Sequence, residues 1–148
     1  MLIQKTILLV EDNVDDELLT IRALQKNNIA NNIAVARDGA EALDLLLGTG
    51  DYSGKGITPL PALIILDLKL PKIDGLEVLK RLRANDLTKF IPVVVLTSSN
   101  EEQDLLLSYG LGANSFIRKP VDFLKFIEVA TNIGVYWLAI NEIPSNNA

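Results

Sequence analysis

The chain has no cysteine and no histidine among its 148 residues. The first absence excludes disulfides, thiolate nucleophiles and cysteine-ligated zinc. The second excludes Ser-His-Asp and Cys-His triads, imidazole metal ligands and a phosphohistidine formed on this chain. Positive charge is also short: 14 Lys and Arg against 19 Asp and Glu leave a net charge of −5. That balance argues against nucleic acid as the main partner. The longest apolar run, Ile133–Ile140, has eight residues, one of them glycine, whereas a bilayer span needs about 20. The run Ile7–Val10 is too short for a signal-peptide core. The expectation is a cytoplasmic protein without a membrane segment. Its chemistry must run on carboxylates, hydroxyls, lysines and backbone groups.

Apolar residues make up 49% of the chain, enough for a full core in a length suited to one domain. Short apolar runs alternate with amphipathic stretches. Ile7–Val10, Ile33–Ala36, Leu63–Leu66, Val93–Leu96 and Ser115–Ile117 read as strands, several of them apolar throughout and so buried on both faces. Helices are expected over 14–27, with Val14, Leu18, Ile21 and Leu24 inward and Asn13 as cap. A second runs from the Asp38 cap through Ala42, Leu43, Leu46 and Leu47 to Gly48. A third opens at Asp74 and carries Leu76, Val78, Leu79 and Leu82. A fourth covers Glu101–Tyr109, with Leu105, Leu106 and Tyr109 on one side and Ser99 or Asn100 as cap. The last begins at Asp122 and extends toward Asn141. Residues 48–61 form a Gly/Pro-rich loop. Five strands alternating with five helices predict an α/β fold: a doubly wound, flavodoxin-like (βα)5 parallel sheet of order 2-1-3-4-5. The expectation is a single domain over 1–148, with a core of about 5–140, a tail from 141 whose end from Pro144 is frayed, and no output domain. Gly54-Lys55 is not a P-loop: Thr49 and Gly56 stand where that motif needs Gly and Ser or Thr.

The polar residues fall where the strands end. Glu11 and Asp12 follow the first strand, Asp67 the third, Thr97 and Ser98 the fourth, and Lys119 the fifth. In a parallel sheet these ends share one edge, where open α/β sheets bind ligands. Crowded carboxylates repel one another unless a counter-ion joins them. A hard divalent cation such as Mg²⁺ suits an all-oxygen set. Asp12 and Asp67 are the expected direct ligands, Glu11 the holder of a metal-bound water, and the Lys69 backbone carbonyl a further oxygen. Asp67 can then attack phosphorus. Lys119, Thr97 and nearby backbone N–H groups would face the equatorial oxygens. Phe116, on the fifth strand, is placed to fill space that Thr97 vacates when it moves.

These stretches resemble the receiver domain of two-component response regulators. The matching segments are Leu8–Asn13, Ile65–Pro71 with Asp74-Gly75, Val94–Ser98 and Gly112–Pro120. The resemblance covers about residues 5–140. It implies Asp67 as phosphoacceptor, Glu11 and Asp12 as the acidic pair, Thr97 and Ser98 at the phosphate-binding and switch position, Phe116 as switch aromatic, Lys119 as the phosphate-pairing lysine and a cis peptide at Pro120. It also implies a sensor histidine kinase as partner. Lys69 departs from the residues common two places after the acceptor, which puts the phosphate lifetime in question. The loop 48–61, Leu70-Pro71-Lys72, Ile91–Thr97, Tyr136-Trp137-Leu138 and Ile143-Pro144 are similar to single-domain receivers that partner cyanobacterial phytochrome kinases. Two alternatives stay open: a haloacid-dehalogenase-like phosphatase, whose usual second Asp is here Lys69, and a phosphorylation-independent binding module on the same fold.

The last helix carries more apolar residues than one covered face needs. One stripe (Phe123, Ile127, Ala130, Trp137) can face the sheet. A second, Phe126, Val129, Ile133, Tyr136 and Ile140, with Trp137 at its border, is expected to form a homodimer interface together with strand five and helix four. The alternative is that the C-terminal tail folds back over this stripe.

Overall fold

The computed structural model describes residues 5–26, 32–57 and 59–144. Five strands, β1 (Thr6–Val10), β2 (Asn32–Ala36), β3 (Leu63–Leu66), β4 (Val93–Thr97) and β5 (Ser115–Arg118), form one parallel sheet of order β2-β1-β3-β4-β5. The helices are α1 (Val14–Gln25), α2 (Gly39–Leu47), α3 (Gly75–Ala84), α4 (Glu102–Gly110) and α5 (Phe123–Gly134). A π-helical turn, Val135–Ile140, continues α5. Residues 27 and 145–148, the expected end of the first helix and of the frayed tail, lie outside the described residues.

Strand alternation divides the core between two layers. Leu8, Val10, Ile64, Leu66, Val93 and Val95 point toward α2 and α3, while Ile7, Leu9, Leu63, Ile65, Val94 and Leu96 meet α1 and α5. Full burial of each such side chain contributes about 1.5–3 kcal/mol. The expected caps are in place: Asn13, Asp38, Asp74 and Asp122 each accept a hydrogen bond from the backbone N–H three residues on. Gly48 ends α2 in the left-handed conformation at φ 67°.

Three helical faces differ from the sequence reading. On α1, Val14 and Leu18 are more than half exposed, and the inner face is Glu17, Thr20, Ala23 and Leu24. Two of those are polar and are satisfied locally. Glu17 pairs with Arg37 through two hydrogen bonds of 3.0 and 3.1 Å, and the Thr20 hydroxyl donates to the Asp16 carbonyl. An apolar periodicity cannot register a polar inner face.

On α4 only Ser108 is buried, and Leu106 and Tyr109 are exposed. The helix begins after Glu101, whose side chain makes no capping bond. Ser99 instead closes the approach, accepting from the Glu101 N–H and donating to Asp104.

On α5 the residues against the sheet are Phe126, Ala130, Ile133 and Leu138, while Phe123 is half exposed. Phe126 and Ile133 therefore belong to the core and are not available to a partner. Val129 and Trp137 are partly buried against the same core. Tyr136 and Ile140 alone of the expected interface set stay exposed. The wider winding beyond Gly134 turns Leu138 inward, where α-helical pitch from Ile133 would turn Trp137. The continuous helix Phe123–Ile140 has 18 residues, long and apolar enough by length and composition to cross a membrane. That exceeds what the eight-residue run suggests, and its core-facing side accounts for part of the apolar content.

Candidate functional site

Sheet hydrogen bonds carry the polar residues one step past their strands. The Glu11 N–H donates to Ala36 O at 3.0 Å, Asp67 N–H to Val10 O at 3.0 Å and Lys119 N–H to Thr97 O at 2.8 Å. Each residue is thus held by the strand beside it, at the carboxyl edge of the sheet. Gly75 lets α3 start close to β3: a Cβ there would stand 2.3 Å from Asp67 O.

Carboxylate oxygens of Glu11, Asp12 and Asp67 lie within 4.8 Å of one another. Glu11 and Asp67 are buried and Asp12 is exposed at the mouth. The Lys119 ammonium donates to Glu11 Oε1 at 2.8 Å, Asp67 Oδ2 at 2.9 Å and Asp16 Oδ2 at 2.8 Å. The other Asp67 oxygen accepts from the Leu68 N–H at 2.7 Å. The sequence reading placed Glu11, Asp12, Asp67 and Lys119 together, and the structure brings them together. It did not include Asp16. The available signal was an acid in the first turn of the helix that opens directly out of the Glu11-Asp12 loop.

Burial pushes the Glu11 carboxyl up from 4.5 to about 7, reinforced by Asp67 and opposed by Lys119 and the Asn13 N–H. Burial alone would lower the Lys119 ammonium, but hydrogen bonds to Asp16, Glu11 and Asp67 outweigh it and raise it above its ordinary value. One cation among three contacting carboxylates leaves the pocket short of positive charge. An oxygen-only donor set with that deficit fits a hard divalent cation.

Thr97 is fully buried at the end of β4, and its hydroxyl accepts from the Ser99 N–H at 3.3 Å. Ser98 points to solvent. Phe116 pairs in register with Val95 and is partly buried against the α2–α3 side of the core. Lys69 is exposed in the loop after β3.

A nucleophilic carboxylate beside an acidic group and a lysine is suited to accepting a phosphoryl group. Comparison with known proteins agrees with that chemistry. The family model for the response regulator receiver domain matches residues 7–131. Response regulator Rcp1 of Synechocystis sp. is 38% identical over 141 residues, 95% of this chain and 94% of its own. The structure of the Mn²⁺-bound form of Rcp1 matches with a TM-score of 0.87, covering 95% of this chain and 99% of that one. The phosphorylated cyanobacterial phytochrome response regulator RcpA matches at 38% identity and a TM-score of 0.89, over 97% and 100% of the two chains. The bacteriophytochrome response regulator AtBRR is 52% identical, with a TM-score of 0.72, over 95% and 100%. These relatives are signalling proteins, and this chain belongs to the response-regulator receiver family.

Proposed function

We propose that this protein accepts a phosphoryl group from the phosphohistidine of a sensor histidine kinase onto Asp67, and signals through protein contacts that change with phosphorylation. An Asp67 oxygen forms the new O–P bond as the N–P bond of the donor breaks, and the departing imidazole recovers a proton from solvent. The observation that carries the reading is the Lys119 ammonium seated 2.9 Å from Asp67 Oδ2 and 2.8 Å from Glu11 Oε1. It stands where the phosphoryl group needs a positive charge. A divalent cation, Mg²⁺ in this proposal, would be held by Asp12 and Asp67, with Glu11 on a bound water and the Lys69 carbonyl as a further oxygen, and would neutralise the carboxylates against the incoming phosphate.

In this reading the Thr97 hydroxyl and Ser98, which follow Leu96 at the carboxyl end of β4, bind the phosphate. Drawing Thr97 toward the phosphate breaks its bond with the Ser99 N–H, and Phe116 on the neighbouring strand takes up the space. The readout surface is then α4, β5 and α5, as a two-state population shift. Similarity to the phytochrome response regulators RcpA and AtBRR supports a phytochrome kinase as the donor. The exposed Tyr136 and Ile140, beside the partly buried Val129 and Trp137, support an interface between two copies of the chain. Sedimentation at micromolar concentration tests it, and a monomer at every concentration removes it.

Acetyl phosphate with Mg²⁺ tests the central reading. The expected product is a one-phosphate adduct that EDTA prevents and Asp67→Asn abolishes without loss of fold. Steady release of phosphate without an adduct would favour a phosphatase. No reaction of any kind would favour a phosphorylation-independent module. Transfer from a phosphorylated phytochrome kinase, faster than from unrelated kinases, is the expected outcome for the donor.

A further inference from the structure

Asp16 is the one carboxylate on Lys119 that stands outside the Glu11, Asp12 and Asp67 group. Its placement follows from how α1 begins. Asn13 caps the helix, its side-chain oxygen accepting from the Asp16 N–H at 3.0 Å. An acid at this third helical position ordinarily turns back onto the N–H of the capping residue. Here Glu11 Oε2 already accepts from the Asn13 N–H at 3.2 Å. The Asp16 side chain turns instead over the pocket and accepts from Lys119 Nζ at 2.8 Å.

An ammonium has three donors, and in this structure they go to Glu11, Asp67 and Asp16. The lysine arrives from edge strand β5 on a flexible four-carbon stem. Two of its partners are the carboxylates that a divalent cation and a phosphoryl group would draw on. Asp16 is not. It also lies on the solvent side, with its side chain 24% exposed against 3% for Glu11 and 7% for Asp67. The helix that carries it is tied at the opposite flank by Glu17 to Arg37, just past β2. Asp16 is therefore carried on a helix that is anchored independently of Lys119, through the buried Glu17, Thr20, Ala23 and Leu24.

We propose that Asp16 is a positioning residue for phosphoryl transfer, holding the Lys119 ammonium over Asp67 while cation and phosphate occupy the oxygens that Lys119 otherwise pairs with. The proposal rests on the reading of Asp67 as phosphoacceptor. It matters because catalysis of phosphoryl transfer is mostly positioning and electrostatics, and a lysine free to swing presents its charge to the phosphate only part of the time.

The test compares wild type with Asp16→Ala and Asp16→Asn. Three quantities are read: the rate of adduct formation from acetyl phosphate, Mg²⁺ affinity by calorimetry, and the nitrogen-15 NMR signal of the Lys119 ammonium. Asp16→Ala is expected to slow adduct formation about tenfold and to lose the slowly exchanging ammonium signal. Mg²⁺ affinity should stay within about threefold of wild type, since Asp16 is outside the proposed ligand set. Asp16→Asn keeps an oxygen acceptor and should slow the reaction only about threefold and retain the signal. It also carries the measurement if Asp16→Ala does not fold. A wild-type rate in both variants overturns the proposal, as does slowing matched by an equal loss of Mg²⁺ affinity or an unaltered ammonium signal in Asp16→Ala. A wild-type protein that forms no adduct overturns the proposed function, and with it this role. That outcome is read before any variant is examined.

Discussion

The two sides of the carboxyl-edge pocket are built differently. β1 and β3, which deliver Glu11, Asp12 and Asp67, are buried along their whole length. β5, which delivers Lys119, is an edge strand buried only in part, and α4 beside it sinks a single residue into the protein. A strand covered on both faces has no room to shift without opening cavities. An edge strand next to a thinly packed helix can move with little loss of buried apolar area. Glu11 and Asp67 therefore follow strands with little room to move, whereas Phe116 and α4, two of the parts proposed above to respond to phosphate, hang on the looser side, and Thr97, fully buried at the end of β4, stands between the two. Lys119 belongs to the loose side but must act with the rigid one. That need is what the Asp16 contact meets.

The contrast can be broken most forcefully from the rigid side. Ile65→Ala removes a buried β3 side chain and is expected to cost about 3–4 kcal/mol in urea unfolding. A loss under about 1 kcal/mol would mean that β3 relaxes freely. Next comes the joint between the sides. Lys119→Ala leaves Glu11 and Asp67 buried without their cation and should cost about 2–3 kcal/mol at pH 8. The loss should shrink toward pH 5 as Glu11 takes a proton, and urea melts at the two pH values check both size and direction.

A smaller effect comes from the raised Glu11. Its folded value of about 7 lies above the ordinary 4.5, so the folded chain binds this proton more tightly than the unfolded chain. The contribution of Glu11 to stability is then greatest at low pH and declines as pH climbs from 4.5 to about 7 in the absence of divalent ions. The same proton competes with a cation. Mg²⁺ affinity should therefore rise about tenfold between about pH 6 and pH 8, and Glu11→Gln should flatten that rise in a calorimetric titration. The smallest effect belongs to the loose side. Leu106→Ala on α4, where the side chain is 66% exposed, should change stability by no more than about 0.5 kcal/mol. A loss comparable to that of Ile65→Ala would show α4 to be as firmly packed as β3.

Much of the architecture was legible in the residues. Continuous apolar runs for β1, β3 and β4 and capping residues before four helices act through nearest neighbours in the chain, so a linear reading finds them. The positions of Glu11, Asp12, Asp67 and Lys119 followed too, because parallel strands must bring their carboxyl ends to one edge. The inner faces of α1, α4 and α5 did not follow. Glu17 and Thr20 are buried by virtue of partners, Arg37 and the Asp16 carbonyl, that periodicity does not see. Phe126 and Ile133 are inside because they join Leu24 and the strand residues Ile7, Leu9, Leu63 and Ile65 in one cluster, neighbours that a helical period does not name.

By itself, then, the sequence determined the order of elements, the parallel sheet and the convergence of three acids with a lysine, since these depend on local propensity and chain direction. Tertiary structure alone decided which side of each helix is covered, that Asp16 joins the pocket, and that Glu11 holds its proton near neutrality. Those outcomes depend on distances between groups far apart in the chain and on how much water reaches them, and neither quantity is written in the order of residues.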